Sequence, residues 1–592
     1  MILVDADNAF NRLNRKVALH NIERSCPLLH QFLSNSYKTP SKLHLGDGTH
    51  ILSKEGVTQG DNLEIAKYAV GTKNLIESLK RVNSETLQVW FADDSAGAGN
   101  LVGLKGWWDH LNLFGPAYGY FPKPSKTYLI LKRPDLLEKA RELFGEEIKI
   151  TTDGKRHIGA VIGTKEFKEE YVRDKIEKWI KDVTQLAEIA RDEPQVALSA
   201  FNTGLSQRWK FVQRTIPEIS HLFEPLESVI RSELIPALCG REISDLERRI
   251  FSLPYRYGGL GILNPITTAE REYCTSVKIT AGLTNLICQQ EMDLSLLDKE
   301  EMAKTKIQLK KEKEITYKEE KENIIEMLCE KEKRMLLAAS EKGASSWLSA
   351  LTLKKLGYVI NKQEFRDAIC LRYGWKIPNT PIYCGCGQKN SFDHILVCKK
   401  GGFVRDTEAR MMEKVFKDVQ VEPELLPAGH QTSGNNAEKA RLDVSARGVW
   451  GVQEKTFFDI RVTHPNAESN LIKSLEAIYE SNENQKKRHY NDRVLNVEKA
   501  SFTPLVFSTT GGMGKECKAL NKRLAEKISE KTKENYSQVM TYIRTRLRYA
   551  LLKATLVAIR GFRGKQAQVS REEEIDEIAF NLIPEETSYE TY

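Results

Sequence analysis

Acidic residues stand at several points of this chain where an apolar strand gives out, and those are the places to look for chemistry. LVDADNAF puts Asp5 after one apolar run, and VWFADDSA puts Asp93 and Asp94 after another. An unpaired carboxylate inside a protein is costly, so acids that break an apolar strand need a turn to expose them or a partner to hold them. Hard divalent cations are such partners, and phosphoryl transfer to a nucleotide uses two of them, a few ångströms apart, held by carboxylate oxygens. Between these acids EGVTQGDNL supplies Gly56, Gln59 and Gly60, with glycines where backbone could approach a nucleotide closely. A second set is softer: Cys384, Cys386, His394 and Cys398 follow C-x-C-x7-H-x3-C, the first two on the tight turn CGCGQ. Such donors suit a tetrahedral zinc ion, and four protein ligands would leave no open position, so the expected metal is structural. Reduced thiols beside a surface histidine are the alternative. The third set lies in KARLDVSARGVWGVQEKTFFDIRV, two alternating strands that carry Asp443 and Asp459 sixteen residues apart. A hairpin would bring both to one cation able to polarise a phosphodiester and generate hydroxide, although exposed strand-end acids would look the same in sequence.

Taken in order, the N-terminal motifs resemble the palm of reverse transcriptases. Asp5 with Ala9-Phe10 matches the first palm motif, Gln59-Gly60-Asp61 the second and Phe91-Ala92-Asp93-Asp94 the third. PKPSKTYLIL looks like the fourth, with Lys126 in the place of the family's lysine, and GKRHIGAVIG resembles the hairpin that grips the primer. The resemblance implies that Asp5 and Asp93 ligate both metals with Asp94 assisting. It also implies that Phe10 stacks under the sugar as a gate against a 2′-hydroxyl, and that Gln59 and Gly60 lie beside the incoming nucleotide. GGLGILNP (258–265) is similar to the thumb region of polymerases from retrotransposons that lack long terminal repeats. Two departures stand out: Asn62 follows Gln-Gly-Asp where the family has Pro, and Met1 lies four residues before Asp5, where the family has fingers whose basic residues hold the triphosphate. The expectation from the second is weak or absent polymerisation by this chain.

The Cys/His cluster resembles the knuckle between polymerase and endonuclease in site-specific retrotransposons, and the order knuckle, helix, Asp443, Asp459 resembles their restriction-like endonuclease. In that fold a helix glutamate often completes the site, which points to Glu408 in RDTEARMMEKVF. The family's acid-x-Lys is here Asp459-Ile460-Arg461, and an arginine does not shed its proton at working pH. A lysine displaced onto the following helix would restore the chemistry, and NQKKRHYNDR offers Lys487 near Tyr490; Gln453 and Glu454 precede the strand and are weaker candidates. TGGMGKE is not a phosphate loop, because it has no glycine four residues further back and Glu516 stands where Ser or Thr should be.

The elements that must position these residues divide a chain of 592 residues, too long for one core, into an α+β multidomain protein. The expected order is a palm of antiparallel sheet and helices (1–165), a helical thumb (166–290), a charged helical linker (291–345), a second helical linker (346–382), the zinc knuckle (383–400), an α/β PD-(D/E)XK-like nuclease (401–565) and an acidic tail (566–592). KTKIQLKKEKEITYKEEKENIIEMLCEKEKR alternates Lys and Glu at helical spacing and reads as a solvated helix held by pairs three and four apart. Val539, Ile543, Leu547, Leu551 and Ala554 share one helix face for the core, while Arg544, Arg546, Arg548, Lys553 and Arg560 fall elsewhere and suit contact with a DNA backbone. A formal net charge of +8 is compatible with phosphate-binding surfaces. No run reaches the roughly 18 apolar residues a bilayer span needs, and MILVDADNAF puts acids where a signal peptide wants bases. Seven scattered cysteines suit reduced thiols in the nucleus or cytoplasm. The sequence thus reads as an RNA-directed DNA polymerase core fused to a metal-dependent DNA-nicking endonuclease. Magnesium or manganese would serve at both sites with structural zinc between them, and the partners would be a DNA target, an RNA template and deoxynucleoside triphosphates, with no membrane and the oligomeric state open. The alternative is a DNA-binding and nicking protein, or a domesticated nucleic-acid-binding protein, whose palm is inactive.

Overall fold

The computed structural model describes residues 1–291, 293–380, 382–383, 403–426 and 440–560. Over these residues the protein is α+β, mainly helical with small sheets, and it forms two compact units.

The first unit comprises Met1–Ile176, Lys210–Leu222 and Ala269–Leu309. Its strands are β1 (Ile2–Val4), β2 (Ser41–His44), β3 (His50–Ser53), β4 (Leu87–Phe91), β5 (Asp94–Ala98), β6 (Tyr128–Ile130), β7 (Lys149–Thr151), β8 (Gly154–His157) and β9 (Ala160–Gly163). Five of them make one sheet in the order β4-β5-β1-β6-β7, antiparallel except for the parallel pair β6–β7. Ile2 and Val4 are buried and pack with Tyr68, Leu75 and Leu79 of the helix Glu64–Val82 and with Leu104, Trp107 and Leu111 of the helix Leu101–Tyr118. Those apolar residues recur three, four or seven apart, so each helix turns one stripe to the sheet. The second helix starts where the Asn100 side chain accepts from the Gly103 N–H at 2.8 Å and ends at Gly119, whose φ of 80° is left-handed. β8 and β9 pair as the hairpin expected from GKRHIGAVIG.

The second unit comprises Glu177–Trp209, Phe223–Thr268 and Lys310–Tyr592. Its sheet has the order β10 (Lys417–Val421), β11 (Val444–Arg447), β12 (Lys455–Thr463) and β13 (Ser501–Ser508). The first three are antiparallel neighbours, and β12 pairs with β13 in parallel across eight residues. A parallel pair cannot be closed by a hairpin, and the helix Leu475–Asn496 makes the crossover. The helix Phe403–Glu413 precedes this sheet, and the helices Lys515–Thr532 and Tyr536–Arg560 follow it.

Three expectations are corrected. The segment read as a thumb, 166–290, is not one body: its residues 177–209 and 223–268 belong to the second unit. There Tyr373 donates to the Gly258 carbonyl at 3.0 Å, so GGLGILNP packs on the helix Lys362–Tyr373. The charged helix Lys299–Met327 is not solvated throughout. Tyr317 and Ile324 are buried, and its acids pair with residues of 249–257: Glu320 with Arg249 at 2.9 Å and Glu314 with Arg256 and Tyr257. The basic residues of the last helix are spent inside the protein. Arg548 is buried and donates to the carbonyls of Ala344 and Thr509, Lys553 donates to Gly357, and Arg560 grips Asp367 through two bonds of 2.7 Å. Backbone carbonyls of neighbouring loops need donors as phosphates do, and these side chains supply them. No helix among the described residues is long and apolar enough to cross a membrane. The zinc-ligand candidates Cys384, Cys386, His394 and Cys398 and the acidic tail lie outside the described residues.

Candidate functional site

In the first unit the sheet register gathers the acids. Val4 pairs with Ser95, so the next residues outward, Asp5 and Asp94, stand side by side on adjacent strands, roughly 5 Å apart in the hydrogen-bonding direction. Asp93 lies in the turn between the paired Phe91 and Asp94, after Ala92 in the left-handed region at φ 54°. Tyr120, which the sequence did not single out, fixes that turn: its hydroxyl donates to the Asp93 carbonyl at 3.0 Å and shares a hydrogen with Ser95 at 2.9 Å. Burial raises the Asp94 carboxyl above the usual carboxylate range, and the charges of Asp93 and Asp5 raise it further while His157 on the hairpin opposes them. Acids that hinder one another's ionisation in this way would be relieved by a divalent cation, and three oxygen donors at one sheet end are chemically suited to hold one. Among the described residues, no three Asp, Glu, His or Cys side chains are already drawn into a metal cage, and Asp5 turns instead to the Lys126 ammonium at 3.4 Å.

The residues expected beside a nucleotide are tied to one another by local contacts. Phe10 packs against Tyr68, the rings tilted by 30° with centroids 4.5 Å apart. The loop that carries Gln59 is tied to the Phe10 segment by two backbone bonds of 2.8 Å, from Val57 N–H to Phe10 and from Gly56 N–H to Leu13. Gly56 has φ 78°, and a Cβ there would sit 2.4 Å from the Asn11 carbonyl carbon, so only glycine permits that approach. Gln59 and Gly60 are exposed, and the Gly60 N–H donates to Glu64 at 2.7 Å.

In the second unit Val444 pairs with Phe458, which sets Asp443 opposite Asp459 on neighbouring strands. The Ile460 N–H donates to Asp443 at 2.6 Å. Burial pushes the Asp443 carboxyl up to about 6; the Asp459 charge adds to this, and the Ile460 bond, Lys486 and Arg405 work against it. Lys486 reaches Asp459 at 2.5 Å, whereas Lys487 points away and pairs with Glu516. On the following helix it is Lys486, not the expected Lys487, that stands beside Asp459. The signal was in the helix period: Ile478, Asn482, Lys486, Tyr490 and Val494 recur every four residues, and Ile478, Asn482 and Val494 are buried against the sheet. Tyr490 belongs to the same group, since the Asp459 and Asp443 charges add to the burial that raises its hydroxyl. Arg461 donates to Gln485 at 2.9 Å and does not take the lysine's part, and Gln453 and Glu454 precede β12.

Glu408 stands in an enclosed setting. It is wholly buried, neither carboxylate oxygen has a hydrogen-bond partner, and burial lifts it to about 8. Its charge is among the causes that raise the buried Cys517 thiol. Compared with protein-family models and with curated proteins, the chain matches none.

Proposed function

We propose that this chain is a retrotransposon-derived nucleic-acid enzyme, with a reverse-transcriptase palm in its first unit and a metal-dependent DNA-nicking endonuclease of PD-(D/E)XK type in its second. The observation that carries the reading is the opposition of Asp443 and Asp459 with Lys486 at 2.5 Å from Asp459, in a helix–three strands–helix–strand order. Supporting it, the first unit brings motifs some ninety residues apart, Asp5 and Asp93-Asp94, to one end of adjacent antiparallel strands.

Asp443 and Asp459 would hold magnesium or manganese, which when bound polarises the scissile phosphate and acidifies water. The Ile460 N–H orients Asp443, and Lys486 places its ammonium beside Asp459, where it offsets the charge that develops on the phosphate. In the palm, Asp5, Asp93 and Asp94 would hold the cations, Phe10 and Tyr68 would floor the sugar, and Lys126 is free to exchange Asp5 for a phosphate once a cation binds the acid. Zinc would be held by Cys384, Cys386, His394 and Cys398. The test is a supercoiled plasmid incubated with magnesium or manganese. Nicking should require the metal and vanish in Asp443→Ala and Asp459→Ala; nicking that persists in both would reject the assignment.

A further inference from the structure

Lys67 is nearly sealed from solvent at 3% exposure, yet it is a lysine one turn into a helix whose neighbouring positions pack in the core. Its ammonium makes an ion pair with Asp61 and donates to the Tyr37 hydroxyl at 2.7 Å, lying 4.5 Å from that ring's centroid. Both partners hold the Gln59-Gly60 turn. On one side the Tyr37 hydroxyl accepts from the Thr58 N–H at 3.1 Å; on the other, Asp61 accepts from the Leu63 N–H at 2.9 Å. The Arg15 guanidinium covers the Tyr37 ring at 4.8 Å and donates to the carbonyls of Gly56 and Ser53, which anchors the same loop from behind. One buried cation therefore joins the residue before Gln59 to the residue after Gly60, while Gln59 and Gly60 themselves stay exposed.

We infer that Lys67 is a positioning residue: through Asp61 and Tyr37 it sets the Gln59-Gly60 turn in the geometry that receives the incoming nucleotide. The inference rests on the polymerase reading of the first unit. A turn bridged at both ends by a shared ammonium is preorganised, and preorganisation is what a nucleotide-binding loop needs to avoid ordering itself at each encounter. Lys67 contacts no substrate in this account; it acts through the loop.

The test uses the full chain with Lys67→Met, close to lysine in shape but uncharged, and Tyr37→Phe, which removes only the shared hydroxyl. Hydrogen–deuterium exchange should quicken at Thr58 to Leu63 in both variants and stay unchanged in β1, β5 and β6. Extension of a primed RNA template should show an apparent KM for the nucleotide raised about tenfold with kcat within about twofold, the mark of lost ground-state binding. Faster exchange with an unchanged KM, or a fall in kcat alone, overturns the proposal. Extension by the unaltered chain is expected to be weak, and where it falls below detection the same change of about tenfold is read as the Kd of the nucleotide for the chain with its primed template. Extension or metal-dependent nucleotide binding that survives Asp93→Ala overturns the polymerase reading instead.

Discussion

Two adjacent lysines separate the chemistry from its surroundings. A helix turns each residue by about 100°, so Lys486 and Lys487 cannot share a face, and only Lys486 lies over the acids. Lys486→Ala should cut nicking at least about a hundredfold, as the loss of a group acting on transition-state charge does, while Lys487→Ala stays within about twofold. Initial nicking rates of the two variants on one plasmid decide it. Glu408 makes a prediction of the opposite kind, about stability. Its carboxyl takes up a proton more readily folded, with a value of about 8, than at the ordinary 4.5. The folded state thus binds the proton more tightly than the unfolded one, and stability falls as pH rises from the lower value through the upper. Melting of the second unit should drop by roughly 5 °C or more between pH 5 and pH 9, and Glu408→Gln should flatten that slope. Parallel slopes in both proteins would show that Glu408 is ionised or solvated.

At the scale of elements, the Lys486 helix is held in register by an arginine far away in sequence. Arg334, on the helix Glu330–Ala339, donates to the carbonyls of Pro465, Asn470, Leu471 and Lys473 and to the Asn466 side chain, at 2.7 to 3.2 Å. These bonds close the loop that leads from β12 into the helix Leu475–Asn496. Arg334→Ala leaves several carbonyls without a donor, and a loss of about 2–4 kcal/mol in the unfolding of the second unit is expected from denaturant titration. Hydrogen exchange should quicken first in 465–473. Gly56 sets the matching constraint in the first unit: Gly56→Ala, at φ 78° with backbone 2.4 Å from the new carbon, should cost about 2–3 kcal/mol.

For the whole molecule, two units with separate acids imply separable activities. Asp5→Ala and Asp93→Ala should abolish primer extension and leave nicking unchanged, and Asp443→Ala should do the reverse; one preparation offered both substrates reads out both. Coupled loss in either variant would show that the two sites act as one. The proposed zinc site makes its own prediction: elemental analysis should find about one zinc per chain, lost in Cys384→Ser together with Cys386→Ser.

The sequence by itself determined which residue types could do chemistry and which apolar runs they interrupt, although Asp459, expected at a strand end, lies in the middle of β12. Asp5, Asp93, Asp94, Asp443 and Asp459 stood out because an acid beside an apolar run violates strand patterning; the sheets set Asp5 beside Asp94 and Asp443 beside Asp459, with Asp93 in the adjoining turn. The hairpin of β8 and β9 was legible for a similarly local reason, two short strands about a glycine turn. What only the tertiary structure decided was every question of partnership. A buried lysine latch at Lys67, the choice of Lys486 over Lys487, the enclosure of Glu408 and the internal use of Arg548 all depend on which surface of another element arrives opposite. Local periodicity names a face, and burial against residues tens to hundreds of positions away decides whether that face meets solvent, a carbonyl or an acid.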